Sequence, residues 1–352
     1  MMRRMDRMTE LPAYCFRRRR VARQALVLLA LGILAIFLCC CVGSARLTLR
    51  ELGEAVWARL RGLDAPDRTA DTVLFGIRLP RTITSYFVGM ALAGSGVLMQ
   101  GVFANPMAEP GVLGVSSGAA LGAAVAMIFR LETSPLGFSV VSLFAFFFGA
   151  AAVVVVLLFS PPGRGTTSLL LSGIAVSTIL SAVVSGLLTL NHDKMEAVYM
   201  WTMGSFASSG WNKLFLLAPV IVLGLLLSQC FSRDLNALLA GNNARLLGVN
   251  AARVRLCALA LSTLLTAAAV SMSGVIGFVG LMAPHAVRRL TGADHRSLLP
   301  LSALAGGLFL LIADTLARTV FMPTELPVGV VTSLFGGPFF LILLRGTRGG
   351  RR

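Results

Sequence analysis

Apolar and polar positions in this chain do not alternate; the apolar ones run in long blocks. The blocks lie near 24–43, 82–103, 113–129, 138–159, 167–190, 213–231, 254–273, 277–289, 298–317 and 328–345. A helix needs roughly 20 apolar residues to cross the hydrocarbon of a bilayer, so the blocks predict about ten transmembrane helices. The stretch from Leu256 to Val287 carries no formal charge. It is too long for one span and short for two, and Ser273-Gly274 and Gly277 supply the break. Between blocks, 44–81 reads as a mixed-charge loop with a short helix near 50–60. The segment 191–212 holds Trp201 and Trp211. Trp favours the membrane interface, which predicts a short surface-lying helix over 198–210.

Composition agrees. Of 352 residues, 56% are hydrophobic and 13% charged, with a mean hydropathy of +0.83. A charged share about half the usual one excludes a soluble domain, and the hydropathy excludes a disordered chain. The expected class is an all-α polytopic membrane protein. The net charge of +16 records topology, not nucleic-acid binding. With the N-terminus inside, the inner segments carry 20 Lys and Arg and the outer ones 11. The positive-inside rule therefore predicts N-in and C-in. The expected layout is a cytoplasmic tail over 1–23, one transmembrane domain over 24–345 and a cytoplasmic tail over 346–352. Within the domain, 44–81 and 191–212 lie outside and 232–253 inside. Arg17 to Arg20 before an apolar run also resembles a signal peptide, but the run is long for one.

Several chemistries find no support. The six Cys show no C-x-x-C spacing, and Cys39, Cys40 and Cys41 read as small apolar fillers. Neither Lys194 nor Lys213 follows a Gly, so the chain has no P-loop and no ATPase site of its own. No catalytic constellation, metal set or cofactor motif appears. His192, His285 and His295 are dispersed. The glycines from Gly94 to Gly118 suit close helix packing. Asp314 is the clear intramembrane charge; it stands four residues before Arg318, where a helix lets them pair.

Other polar positions interrupt the apolar pattern. Pro lacks an N–H and restricts its predecessor. Asn105-Pro106 and Glu109-Pro110 therefore predict a rigid cytoplasmic turn between the second and third spans, either a plain turn or part of an inner gate. Gln100 either bonds across helices or lines a pathway. The loop 232–253 reads as two short helices broken at Gly241. Leu235, Leu238 and Leu239 offer one apolar face, Leu246 and Leu247 another, and exposed apolar residues on such a loop suggest a docking site. Arg78 and Arg81 stand three apart at the mouth of the second span, and Arg318 ends the ninth on the same side.

Three stretches carry a resemblance. The first is Arg78-Leu79-Pro80-Arg81, with Gly94-Ser95-Gly96, Gln100, Asn105-Pro106-Met107-Ala108-Glu109-Pro110 and Leu113 to Ala119 behind it. The second is Gly277-Phe278-Val279-Gly280-Leu281, with Pro284-His285, Arg288, Gly292 to Arg296 and Leu298-Leu299-Pro300. The third is Ala313-Asp314, Ala317-Arg318, Glu325 to Gly329 and Gly336 to Phe339. In order and spacing they resemble the FecCD family, permease subunits of binding-protein-dependent ABC importers for iron chelates, haem and vitamin B12. The resemblance covers about residues 70–345.

It implies an ABC importer type II permease fold in the inner membrane, without a catalytic site or cofactor. A second permease copy, two cytoplasmic ABC ATPase subunits and a substrate-binding protein are the implied partners. The implied cargo is a metal chelate, namely a ferric siderophore, haem or corrinoid. In the family, the loop matching Leu235, Leu238, Leu239, Gly241, Asn242, Asn243, Ala244, Arg245, Leu246, Leu247 and Gly248 forms coupling helices seated on the ATPase. Many relatives are acidic at Asn242-Asn243. Arginines matching Arg78, Arg81 and Arg318 receive the binding protein's carboxylates, with lipid anchoring as the other reading. The rival class is an ion-coupled secondary transporter using Asp314.

Overall fold

The computed structural model describes residues 2–43, 47–63, 67–131, 139–160, 165–239, 246 and 248–348. Among them it is almost wholly helical. Helix α1 is Met2–Cys41, α2 Leu49–Leu60 and α3 Arg68–Asp71. A π-helical turn, Thr72–Arg78, joins α3 to α4, Leu79–Phe103. Then follow α5 Val115–Ile128, α6 Val140–Phe159, α7 Thr166–Leu190, α8 Met195–Thr202 and α9 Trp211–Cys230. The chain continues with α10 Ser232–Leu238, α11 Ala251–Ser273, α12 Val279–Thr291, α13 His295–Thr319 and α14 Val328–Arg348.

Each of the ten apolar blocks falls on a helix. Among the described residues seven helices are long and apolar enough to cross a membrane, while Val115–Ile128 and Val328–Leu343 are apolar but shorter. The short helix expected near 50–60 appears as α2; the one expected over 198–210 is α8, which ends at Thr202 and leaves 203–210 non-helical. Thr48 caps α2 with a reciprocal pair: its hydroxyl accepts from Glu51 N–H at 3.3 Å and its own N–H donates to Glu51 at 2.7 Å, which satisfies two otherwise orphaned groups. The helix of the first apolar block also runs back through the basic segment, so α1 begins at Met2.

Helix α4 is the hub. It packs on α13, α11, α12 and α9, and small residues allow the approach. A Cβ on Gly89 would strike the Gly306 carbonyl of α13, and one on Gly96 the Gly280 carbonyl of α12. Between α4 and α11 the hydroxyls of Ser95, Ser262 and Thr266 meet at 2.6–2.7 Å. Polar side chains buried among apolar helices thus satisfy one another.

The expected break after Ser273 is present. Helix α11 ends at Gly274 (φ +73°), and Phe278 (φ +68°) opens α12. The segment after α8 packs into this break, where Ser205 N–H donates to Ser273 at 2.7 Å. The Gly204 carbonyl accepts from Val328 N–H at 3.0 Å. The break therefore joins α8, α11 and α14.

Candidate functional site

The arginines expected at an exposed rim are buried in the chain itself. Arg78, Arg81 and Arg318 are 4%, 6% and 4% exposed. The π-helical turn and the first turn of α4 aim Arg81 at α13. Its Nε and Nη2 donate to Asp314 at 3.0 and 2.9 Å, and its Nη1 to Glu325 at 2.8 Å. This is the forked geometry that a guanidinium makes with a carboxylate. Asp314 therefore pairs with Arg81, 233 positions away, and not with Arg318 one turn on as the local spacing suggested. Glu325 is the partly exposed end of this chain of charges.

Arg78 and Arg318 serve another helix. Arg78 donates to the Cys40 carbonyl at 2.9 Å and Arg318 to the Cys39 carbonyl. The last carbonyls of a helix lack intrahelical donors and carry its negative dipole end. Two cations, one from the π-helical turn and one from α13, thus close the end of α1.

A second polar cluster lies where α10 meets α13. Asn236 Oδ1 accepts from His295 N–H at 2.9 Å and faces His295 Nδ1 at 2.8 Å. Its Nδ2 donates to Asp294 at 2.7 Å. Nearby, Gln229 donates to the Arg296 carbonyl at 2.9 Å. The expectation for Leu235 and Leu238 fails here: both are buried in the chain's own core, because Asn236 holds α10 flat against α13. Leu239 and Leu246 are exposed, Leu246 at 85%. Gly248 takes a left-handed conformation (φ +75°). Gly241, Asn242, Asn243, Ala244, Arg245 and Leu247 lie outside the described residues.

The residues assigned to a pathway or gate form a third cluster. Gln100 bonds across helices: its Nε2 donates to the Gly280 carbonyl at 3.3 Å and its Oε1 accepts from Arg288 at 2.7 Å. Ala104 (φ +47°) stops α4, and Asn105 Oδ1 accepts from Met107 N–H at 2.9 Å, which turns the chain before Pro106 can continue a helix. The segment does not stay a simple surface turn. It folds back so that Pro110 lies beside Gly280, itself against Gly96, about two turns before the end of α4. Glu109 there accepts Phe278 N–H at 2.7 Å and pins a residue whose positive φ is unusual for a bulky side chain. Removal from water pushes the Glu109 carboxyl above its ordinary range, with the Phe278 N–H opposing.

Sequence reasoning missed Asn236 and the fold-back of 104–113. The signal for Asn236 was present in Gly292 to Arg296, a distinctive stretch without an assigned contact.

Comparison with known proteins decides the family. The model of the FecCD transport family matches residues 29–346. The chain belongs to the FecCD family. Among FecCD relatives, the cobalamin import system permease BtuC of Halobacterium salinarum is 46% identical over 282 residues, covering 79% of this chain and 74% of that protein. The hemin transport permease HmuU of Yersinia pestis is 42% identical over 280 residues, covering 77% and 83%. The molybdate permease MolB of Haemophilus influenzae is 37% identical over 318 residues, covering 88% and 91%. A solved structure described as an inward-facing metal-chelate type ABC transporter superposes with a TM-score of 0.80 at 34% identity. The match covers 92% of this chain and 99% of that one.

One surface of this FecCD permease mixes hydroxyl-bearing and apolar side chains. Helix α7 is 25 residues long, yet its apolar window is only 11% buried. Its exposed side carries one stripe at helical spacing, Leu171, Ile174, Thr178, Ser181, Ser185 and Thr189, beside exposed Ile179, Val183 and Leu190. The stripe is apolar at the start and hydroxyl-bearing for its remaining length. Thr178 and Thr189 turn their hydroxyls onto the Ile174 and Ser185 carbonyls at 2.9 and 2.8 Å.

Proposed function

We propose that this permease works as a homodimer whose two copies of α7 flank the passage for a metal chelate. The hydroxyl stripe of α7 carries this reading. Polar groups at membrane depth face a protein partner or a water-filled path, not lipid. The cargo class is a ferric siderophore, haem or corrinoid. Relatives bear names for cobalamin, hemin and ferric citrate, and a hydroxyl-lined, uncharged wall suits a large, weakly held cargo. Two cytoplasmic ABC ATPases supply the energy, since the chain has no P-loop. Both termini lie in the cytoplasm, and the membrane is the inner one.

The ATPase contact lies at the far end of α10. Leu239 and Leu246, both exposed, flank it. Asn236, Asp294 and His295 then transmit its movement to α13 as one rigid body. A substrate-binding protein docks over the opposite end of α13. Its carboxylates exchange with Glu325 for the open edge of Arg81, while Arg78 and Arg318 hold the end of α1 beneath the contact.

The test is uptake into proteoliposomes carrying the permease with the ATPase and binding protein that co-purify with it. The expected result is ATP-dependent chelate accumulation that requires the binding protein. Accumulation driven by a proton gradient without the ATPase, and lost in Asp314→Asn, would instead establish an ion-coupled carrier.

A further inference from the structure

The end of α1, the helix α2 and the π-helical turn enclose an apolar cleft that the transport reading does not use. Its volume is about 410 Å³, within the span of small-molecule sites, roughly 300–1,000 Å³. Cys40, Leu52 and Leu74 form its buried floor. Its walls include Ile33, Phe37 and Trp57, which are 62%, 63% and 57% exposed. The cleft therefore opens sideways. It opens onto the face of α1 that also displays Leu26, Leu34 and Leu38, a surface apolar enough to face hydrocarbon.

The lining offers little to a polar ligand. The Cys40 thiol already meets the Thr82 hydroxyl at 3.3 Å, and the Cys41 thiol donates to the Phe37 carbonyl at 3.4 Å. Water does not fill an apolar cavity of this kind, and an empty one forfeits dispersion contacts along every wall. An acyl chain entering from the bilayer restores them.

The mouth has the opposite character. The Arg61 guanidinium stacks over the Trp57 ring at 4.3 Å and that of Arg59 over Phe75 at 4.9 Å. Arg59 also reaches Asp71 at 3.4 Å, whereas Arg61 has no carboxylate partner among the described residues. A guanidinium held over an aromatic ring still has N–H donors to offer a phosphate. Trp and Arg at one end of a hydrocarbon cleft repeat the order of headgroup and chain in a lipid.

We propose that this cleft binds one acyl chain of an anionic glycerophospholipid, whose phosphate rests on Arg61 and Arg59. The lipid fastens α2 and the π-helical turn to α1, next to the carbonyls that Arg78 and Arg318 hold.

The test is native mass spectrometry of the purified full-length permease, delipidated and then exposed to equimolar dioleoyl phosphatidylglycerol and dioleoyl phosphatidylcholine. The wild type should retain one phosphatidylglycerol, preferred about five-fold, the scale of one basic residue at an anionic membrane surface. Gly53 lines the cleft, and a Cβ there meets nothing within 4 Å. Gly53→Leu should fill the cleft and cut retention at least about five-fold without lowering the thermal midpoint. Arg61→Gln, at an exposed position, should keep a lipid but bring the preference near one, and this arm stands even if Gly53→Leu folds poorly. Equal retention of both lipids by the wild type would overturn the anionic assignment. Undiminished retention in a folded Gly53→Leu would place the lipid elsewhere, and displacement by millimolar inorganic phosphate would show that no chain is held.

Discussion

Helices α4 and α7 have the same length and serve opposite ends. Each has 25 residues, and hydropathy alone marks both as spans. Yet 83% of the apolar window that includes α4 is buried, against 11% for α7. On α4 the small and hydroxyl residues point into the protein: Gly89, Ser95 and Gly96 meet α13, α11 and α12 directly. On α7 the residues Ser181, Ser185 and Gly186 point out. The same residue types thus mark a finished interface on one helix and an unfinished one on the other. Lipid does not reward exposed hydroxyls, and in the proposed homodimer the second copy of α7 covers them.

The contrast can be broken most severely at the glycines. Gly96→Leu drives a side chain into the Gly280 backbone, and neither helix can yield cheaply; loss of monodisperse protein on size-exclusion chromatography is expected. Gly186→Leu on α7 meets nothing within 4 Å of its Cβ and should leave the isolated subunit's thermal midpoint unchanged while lowering uptake.

A smaller effect comes from the charges anchoring α4. Arg81→Ala leaves Asp314 buried and unpaired, which costs about 3–5 kcal/mol, read as a lower thermal midpoint. Arg81→Met with Asp314→Leu should recover most of it. If the single and double variants are equally unstable, packing and not charge pairing holds this end of α4.

Smaller still is the joint at α10. Asn236→Ala removes one hydrogen-bond partner of Asp294 and one of His295 and should cost about 1–3 kcal/mol. It should also uncouple ATP hydrolysis from uptake, so that the ratio of ATP hydrolysed to substrate moved rises. A matched fall in both activities would assign Asn236 a structural role only.

Much of this was legible in the chain. Hydropathy located every long helix, Trp201 and Trp211 bracketed the loop between α8 and α9, and Ser273-Gly274 marked the break, because each of these signals is local. The three arginines were found but misplaced: Arg81 owes its burial to Asp314 and Glu325, which lie far away in sequence. Leu235 and Leu238 showed an apolar face without showing which way it points, and only Asn236 on Asp294 and His295 decides that. The fold-back at 104–113 depends on Gly280 meeting both Gly96 and Pro110, a three-body contact that no local pattern encodes. The unfinished face of α7 follows from helical spacing at Thr178, Ser181, Ser185 and Thr189, but only once the other helices are known not to cover it.

The most direct measurement concerns that face. In a cysteine-free background, Ser185→Cys in native membranes should give a covalent dimer with a short bismaleimide. Leu34→Cys on the lipid-facing side of α1 should stay monomeric under the same treatment. The account predicts that the Ser185 dimer forms and that cross-linking stops ATP-driven uptake. A monomer at Ser185→Cys, or a cross-linked dimer that transports at the full rate, would contradict the claim that two copies of α7 face each other across the passage.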